Sequence, residues 1–335
     1  MKVKYSAPGK VFLSGEYLAL DGSLATILST KQRALICIEE IDEPHNILYC
    51  LPSSQTFAFK VNNNYKIEWL ERDPQELGLF LEWSILLTQV RPTMTRFTID
   101  TSDFFLQGKK LGVGSSAAIA SALIRAIASY FHLKYTDEMI LKTSLRLHNI
   151  KQNNLGSGLD VIAAHADSGL IECDSNTESK EKWTGLEWPS GLLIKGVITR
   201  EQSSTAEMIQ KYYEGKIHHK EFFEKLQVDA DQLLKELSSS WRDKDLRSIL
   251  ELMKEYNAFM HRLNEKYALG IYTDEHQDLA NLASKLGLFY KPSGAGGGDL
   301  GFILTDDETK LKQLLTQIKD KNYQIMDLRG QSNTI

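Results

Sequence analysis

The chain has 335 residues, long for one hydrophobic core and short for three, so two packed lobes are expected. Hydrophobic residues make up 42% and charged residues 25%, which excludes bulk disorder and fibrous repeats. A formal net charge of -5 supplies no general cationic field for nucleic acid or an anionic membrane, so any anionic ligand must be held by a few local cations and backbone amides.

Along the chain, Val3 to Ser6, Val11 to Ser14, Ala34 to Glu39, Ile47 to Cys50 and Phe57 to Val61 have β character and are predicted strands. Ala7-Pro8-Gly9-Lys10 reads as a turn joining the first two, which puts the Lys10 ammonium where it can reach into a cleft. Helices are predicted over Ser116 to Phe131, over Asp137 to Gln152 with Thr136 as N-cap, and over Leu159 to Ala166. The polar run Cys173 to Trp183 and the punctuation Pro189-Ser190-Gly191 precede a new apolar strand, Leu192 to Thr199, so the boundary falls there, between lobes 1–188 and 189–335. Thr205 to Glu265 is strongly helical, with apolar Phe222, Leu226, Val228 and Leu233-Leu234 at three and four spacing. Gly287 to Tyr290, Gly301 to Thr305 and Tyr323 to Leu328 are strand candidates around a helix at Glu308 to Lys319, an α+β order.

Cys37, Cys50 and Cys173 are far apart and form no CxxC, so neither a zinc site nor a disulfide framework is expected. The N-terminal MKVKYSAPGKVFLSGEYL has no continuous apolar h-region, and no run reaches the roughly eighteen apolar residues that span a bilayer. A cytoplasmic protein is expected, with no nucleic-acid or membrane partner.

Three glycine-rich segments carry the chemistry. Lys109-Lys110-Leu111-Gly112-Val113-Gly114-Ser115-Ser116-Ala117-Ala118 runs into an Ala-rich helix, whose first-turn amides and aligned dipoles favour an anion while the glycines allow close backbone approach. Ser115 or Ser116 can cap that helix, and a hydroxyl here can alternatively ligate a nucleotide's magnesium. Taken alone, the pattern equally describes an ordinary capped helix. It is not a Walker A sequence, and it does not continue as a dinucleotide-binding GxGxxG. Asn154-Leu155-Gly156-Ser157-Gly158-Leu159-Asp160 places Asp160 in the first turn of an apolar helix, where the dipole stabilises the carboxylate. Lys291-Pro292-Ser293-Gly294-Ala295-Gly296-Gly297-Gly298-Asp299 carries four glycines in a short stretch, better explained by close approach to a ligand than by a surface turn.

In this order the segments resemble the three motifs of the GHMP kinases: Ala7-Pro8-Gly9-Lys10 through Gly15-Glu16-Tyr17, Gly112 to Ala118, and Ser293 to Asp299. The likeness spans nearly the whole chain. Tyr17 in GEY, Lys110 ahead of GVGSS, His148 upstream of Gly156-Ser157-Gly158-Leu159-Asp160-Val161, and the SGAGGGD form of motif three are similar to phosphomevalonate kinases. Two places depart from that family: Thr199 to Thr205 replaces its T-G-x-x-A-S-T stretch, and Leu300 stands where cysteine is frequent.

The resemblance implies a two-lobed α+β fold with a ribosomal protein S5 domain 2-like N-terminal lobe and a ferredoxin-like C-terminal lobe with added helices. It also implies ATP and Mg2+ as cofactors and mevalonate 5-phosphate as the small-molecule acceptor. ATP would lie on Lys110, Gly112, Val113, Gly114, Ser115, Ser116 and Ala117, with Ser116 on the metal. Lys110 would touch the transferring phosphoryl, and Lys10 would hold donor and acceptor phosphates. Asp160 would be a base for an alcohol acceptor, or a positioner if the acceptor is a phosphate, which is already largely anionic at neutral pH. Acceptor contacts would come from Lys10, Tyr17, His148, Ser204, Thr205, Ser293, Gly294, Ala295 and Gly296. A mevalonate kinase or another GHMP alcohol kinase, and a catalytically silent ligand-binding regulator of the same fold, are the alternatives.

Overall fold

The structure, a computed structural model, describes residues 1–151, 156–174, 183–201 and 204–329. Its chain forms two compact units, one drawn from residues 1–9, 32–151 and 158–167, the other from residues 10–31, 156–157, 168–174, 183–201 and 204–329. Strands β1 (Lys2–Ser14) and β2 (Leu24–Glu40) contribute residues to both.

In the first unit the distal half of β2 pairs antiparallel with a strand at Thr95–Asp100, from Leu35 opposite Asp100 to Glu40 opposite Thr95. Between them in sequence come β3 (Asn46–Leu51), β4 (Gln55–Val61), β5 (Ile67–Trp69) and helix α1 (Glu76–Thr88); the Thr95–Asp100 strand is β6. β3 runs parallel to β6, and β4 and β5 add antiparallel beyond it. Leu48, Phe59, Phe97 and Ile99 alternate inward along these strands and are fully buried, the period-two signature of a sheet with one core face. A hairpin of β7 (Phe105–Leu106) and β8 (Lys109–Lys110) follows, closed by Gln107 and Gly108, both left-handed as a two-residue type I′ turn requires. Helices α2 (Ser115–Tyr130), α3 (Asp137–Lys151) and α4 (Leu159–Ala166) pack on one another and, for α2 and α3, on α1. Small alanines on nearly every side of α2 permit that crowding, and Ala117, Ala118, Ala120 and Ala126 are wholly buried.

In the second unit, β9 (Leu170–Asp174) pairs with the proximal half of β2 and with β10 (Trp183–Leu186). Next come β11 (Leu193–Ile198), helices α5 (Thr205–His218), α6 (Lys220–Asp243), α7 (Leu246–Tyr267) and α8 (Asp274–Lys285), then β12 (Phe289–Pro292), β13 (Leu300–Thr305), α9 (Glu308–Asp320) and β14 (Gln324–Met326). The sheet order β12-β13-β11-β14, antiparallel throughout, with α8 and α9 as its crossovers, is the ferredoxin-like split βαβ arrangement. Leu279, Ala283, Leu311, Leu314 and Ile318 of the two crossover helices bury against Val197 and Ile303. The added helices α5, α6 and α7 form a separate core with Tyr17 and Leu18.

Several sequence expectations change. Ala7-Pro8-Gly9-Lys10 is not a turn: β1 runs straight through it, because proline's fixed φ suits extended backbone and only one ladder hydrogen bond is forgone. Helix α2 starts at Ser115, and the capping position is held by left-handed Gly114 with no side-chain bond, so neither Ser115 nor Ser116 caps it. Thr136 does accept from Met139 N–H, at 3.2 Å, as an N-cap should. The expected end of α3 at Gln152 lies outside the described residues. The Thr205 to Glu265 run is three helices, broken at His219 and at Lys244–Asp245, and Val228 faces solvent rather than the core. Helix α1 was missed because ELGLFLEWSILLT is apolar on nearly every side and shows no helical period.

Candidate functional site

The first unit builds an anion cradle. Leu111 N–H donates to Phe104 O at 2.9 Å, and the buried Leu111 and Val113 side chains pin the loop from beneath. Gly112 and Gly114 between and after them are left-handed, at φ 68 and 78, a conformation that places a backbone without Cβ at the head of α2. The first-turn amides of α2 have no intrahelical acceptor, and the helix dipole adds to their pull on an anion. Lys109 and Lys110, exposed on β8, bring the hairpin's positive charge to the same loop. Beside the hairpin opens a cavity of about 520 Å³ whose apolar walls include Leu51, Leu77 and Phe105 and which carries three hydroxyls, from Ser53, Thr101 and Ser102, suited to a flat, partly polar group such as a nucleobase.

His148, in the last turn of α3 and wholly buried, sits beneath this loop. Its Nε2 is 3.2 Å from Ser116 Oγ and 3.5 Å from Asp160 Oδ2. Asp160's other oxygen accepts from Val161 N–H at 3.0 Å. Left-handed Gly158 caps α4 and brings it so close to α3 that a Cβ there would fall 2.7 Å from Leu145 Cδ2. The three side chains expected at separate roles therefore form one network. Sequence reasoning missed the neighbouring Lys151–Glu76 pair, with the Lys151 ammonium 4.5 Å from the Phe80 ring. Burial lowers the Lys151 pKa, and the hydrogen bond from Lys151 lowers that of Glu76, which also feels the Lys110 charge.

Lys10 and motif three belong to the second unit. The Lys10 ammonium lies 4.7 Å from the Phe12 ring, and a Cβ on Gly294 would sit 3.8 Å from Nζ, so the glycine loop runs directly beside this cation. Hydrogen bonds to distant segments hold the loop. Ser293 Oγ donates to Phe12 O at 3.1 Å, Tyr17 OH to Ala295 O at 2.5 Å, and Gly297 N–H to Ile271 O at 2.9 Å, while His276 Nε2 lies 3.2 Å from Gly298 O. With Nδ1 2.7 Å from Tyr290 OH, this network assigns the neutral tautomer carrying its proton on Nε2. Gly294, Gly296 and Gly297 are left-handed, and at Gly296 a Cβ would meet Ile271 Cγ2 at 2.5 Å. Tyr17, itself left-handed and buried, stands behind the loop, and burial raises its pKa far above the usual phenol value. Ser204 is exposed and caps α5, its Oγ accepting from Glu207 N–H at 3.4 Å, and exposed Thr205 opens that helix. Gln202 and Ser203, between Thr199 and these two, lie outside the described residues. The partners Ile271 and His276 carry no sequence signal: a lone isoleucine and a lone histidine read as core.

The two halves of one family recognise this chain: the GHMP kinases N terminal domain matches residues 106–167, and the GHMP kinases C terminal domain matches residues 231–324. The chain carries both GHMP kinase domains, in the family's order. GHMP kinases are phosphotransferases that use ATP, which accounts for an anion cradle and nearby lysines. Among curated relatives, a phosphomevalonate kinase of Streptomyces sp. (strain CL190) is 25% identical over 340 residues, covering 90% of this chain and 89% of its own. A mevalonate kinase of Methanocaldococcus jannaschii is 23% identical over 329 residues, covering 96% and 97%. In fold, a Lin0012 protein from Listeria innocua superposes with a TM-score of 0.83 at 21% identity, covering 98% and 97%. Streptococcus pneumoniae phosphomevalonate kinase in complex with phosphomevalonate and AMPPNP gives 0.74 at 18%, covering 98% and 100%. At such identities the structural likeness bears on the fold alone.

Proposed function

We propose that this GHMP kinase transfers the γ-phosphoryl group of ATP to mevalonate 5-phosphate, giving mevalonate 5-diphosphate and ADP. The observation that carries the choice of acceptor is the state of Asp160: one oxygen is bonded to its own helix's amide and the other faces buried His148. A carboxylate so engaged is poorly placed to take a proton from an alcohol. A phosphomonoester, with a second pKa of about 6, asks for no such base at neutral pH. The lysine-led K-x-G-x-G-S-S segment at Lys110 and the phosphomevalonate kinase among the relatives support the same reading.

In this mechanism the amides of Ser115, Ser116 and Ala117 cradle the nucleotide phosphates and the cavity beside the hairpin takes the base. Lys110 stabilises charge on the moving phosphoryl, and Lys10 with the Ser293 to Gly296 loop holds the acceptor. Catalysis is then alignment and electrostatics. Among the described residues no group of three or more His, Cys, Asp and Glu is placed to hold a metal. Ser116 Oγ offers one hard oxygen, which fits a magnesium ion carried by the nucleotide and held mostly by phosphates and water. Such an ion would offset phosphate charge.

The second reading, mevalonate kinase, is favoured by the Methanocaldococcus relative, which matches a larger share of the chain. A coupled ADP-release assay with each acceptor in turn, with phosphorus NMR of the product, decides between them. A diphosphate signal formed only from mevalonate 5-phosphate is the expected result, and a monoester from mevalonate would overturn it.

A further inference from the structure

Glu16 and Lys291 form an ion pair sealed from water: Nζ lies 2.5 Å from Oε1, and each side chain is 2% exposed. The second carboxylate oxygen accepts from Tyr256 OH at 2.9 Å, and that hydroxyl accepts from Gly15 N–H at 2.9 Å. The ammonium also lies 5.6 Å from the Tyr256 ring and 5.2 Å from the Phe302 ring. Desolvating two charges costs several kcal/mol per ion, and an apolar pair of the same volume commonly serves stability as well or better. Stability alone is therefore a weak reason for this pair.

Its place in the chain suggests another. Glu16 directly precedes Tyr17, whose hydroxyl holds Ala295 O, and it ends the segment that begins at Lys10. Lys291 is two residues before Ser293, whose hydroxyl holds Phe12 O. The pair, completed by Tyr256, thus bridges the roots of both segments.

We propose that Glu16, Lys291 and Tyr256 are positioning residues for phosphoryl transfer, holding the 293–298 loop in register with Lys10 while touching no reactant. The role rests on the phosphotransferase reading of that loop. The test uses the full-length protein and three variants: K291M, E16Q/K291M and Y256F. K291M strands the Glu16 carboxylate and is expected to lose both thermal stability and turnover. The double variant removes both charges at nearly constant volume. It should regain the thermal midpoint of the parent while kcat with the acceptor stays about 10- to 100-fold low, the scale of a small misalignment. Its KM for ATP should remain near the parent's, because the nucleotide cradle lies in the other unit. Y256F, which deletes one hydroxyl, should lower kcat in the same sense and keep the fold even if the double variant does not. Hydrogen exchange of the 293–298 amides should quicken in both. A double variant, or Y256F in its stead, with parental midpoint, parental kcat and parental loop exchange would overturn the proposal. Should the parent protein turn over neither mevalonate nor its phosphate, the choice of acceptor fails, and loop exchange alone still decides the positioning role: faster supports it, unchanged refutes it.

Discussion

Two glycines of the same loop should respond differently to the same methyl group. Gly294 and Gly296 are both left-handed, at φ 72 and 77, so alanine at either carries the steric cost of that region, about 1–2 kcal/mol. At Gly294 the added Cβ meets nothing nearer than the Lys10 ammonium at 3.8 Å, an ordinary contact. At Gly296 it would stand 2.5 Å from Ile271 Cγ2 and 2.9 Å from the Ile271 Cα and carbonyl oxygen. The latter two are backbone atoms, further tied through the bond from Gly297 N–H to Ile271 O, and cannot rotate away. Overpacking of this kind adds about 1–3 kcal/mol, so Gly296→Ala should be destabilised by about 2–5 kcal/mol against about 1–2 for Gly294→Ala. On a unit of this size the difference corresponds to roughly 2–12 °C in thermal midpoint. Circular dichroism melts of both variants and the parent, with steady-state kinetics at 25 °C on the folded material, make the comparison. Gly294→Ala should fold and show its defect in acceptor kinetics, because its methyl group stands beside the Lys10 ammonium and takes up space next to that cation. Equal midpoints, or a lower one for Gly294→Ala, would refute the claim that the backbone of Ile271 dictates glycine at 296.

Lys110→Ala and Lys10→Ala should each lower kcat by at least about 100-fold, as expected for loss of a cation at the moving phosphoryl, while the melting midpoint of the exposed Lys110 variant moves little; near-parental turnover would remove that lysine from the mechanism. His276 has its pKa pushed down to about 4 by burial, against 6.5 when solvated. The unfolded chain therefore binds the extra proton between those values, and this contribution is complete above pH 6.5 and lost as pH falls towards 4, about 3 kcal/mol in all. Urea midpoints followed against pH for the parent and His276→Gln should converge over that interval, and a constant difference would contradict the assignment. Ser204→Ala should cost about 0.5–2 kcal/mol as a lost helix cap and leave the acceptor KM unchanged, whereas a raised KM at unchanged stability would return Ser204 to the acceptor site.

Much of the site was legible in the sequence because left-handed glycines and helix starts are local properties. The Gly112 and Gly114 loop heading α2, Gly158 ahead of Asp160, and the four glycines before β13 each show in a few letters, and their order along the chain pointed to the family. Helix α9, with an apolar period and Asp307 as its cap, was found nearly residue for residue, and so was α4 behind its glycine-rich lead. Tertiary structure decided what depends on partners distant in sequence. Lys110 and Lys291 are the same letter, yet one is exposed on a hairpin and the other sealed against a carboxylate 275 positions away, because burial is settled by what the rest of the chain packs around a side chain. Pro8 reads as a turn until a neighbouring strand makes its segment part of a sheet. Nothing near Tyr17 in sequence shows that its hydroxyl reaches Ala295 O, and nothing near Asp160 shows that His148 lies beside its carboxylate. Local conformation follows from the nearest few residues, whereas the availability of a functional group follows from three-dimensional neighbours that spacing along a chain does not encode.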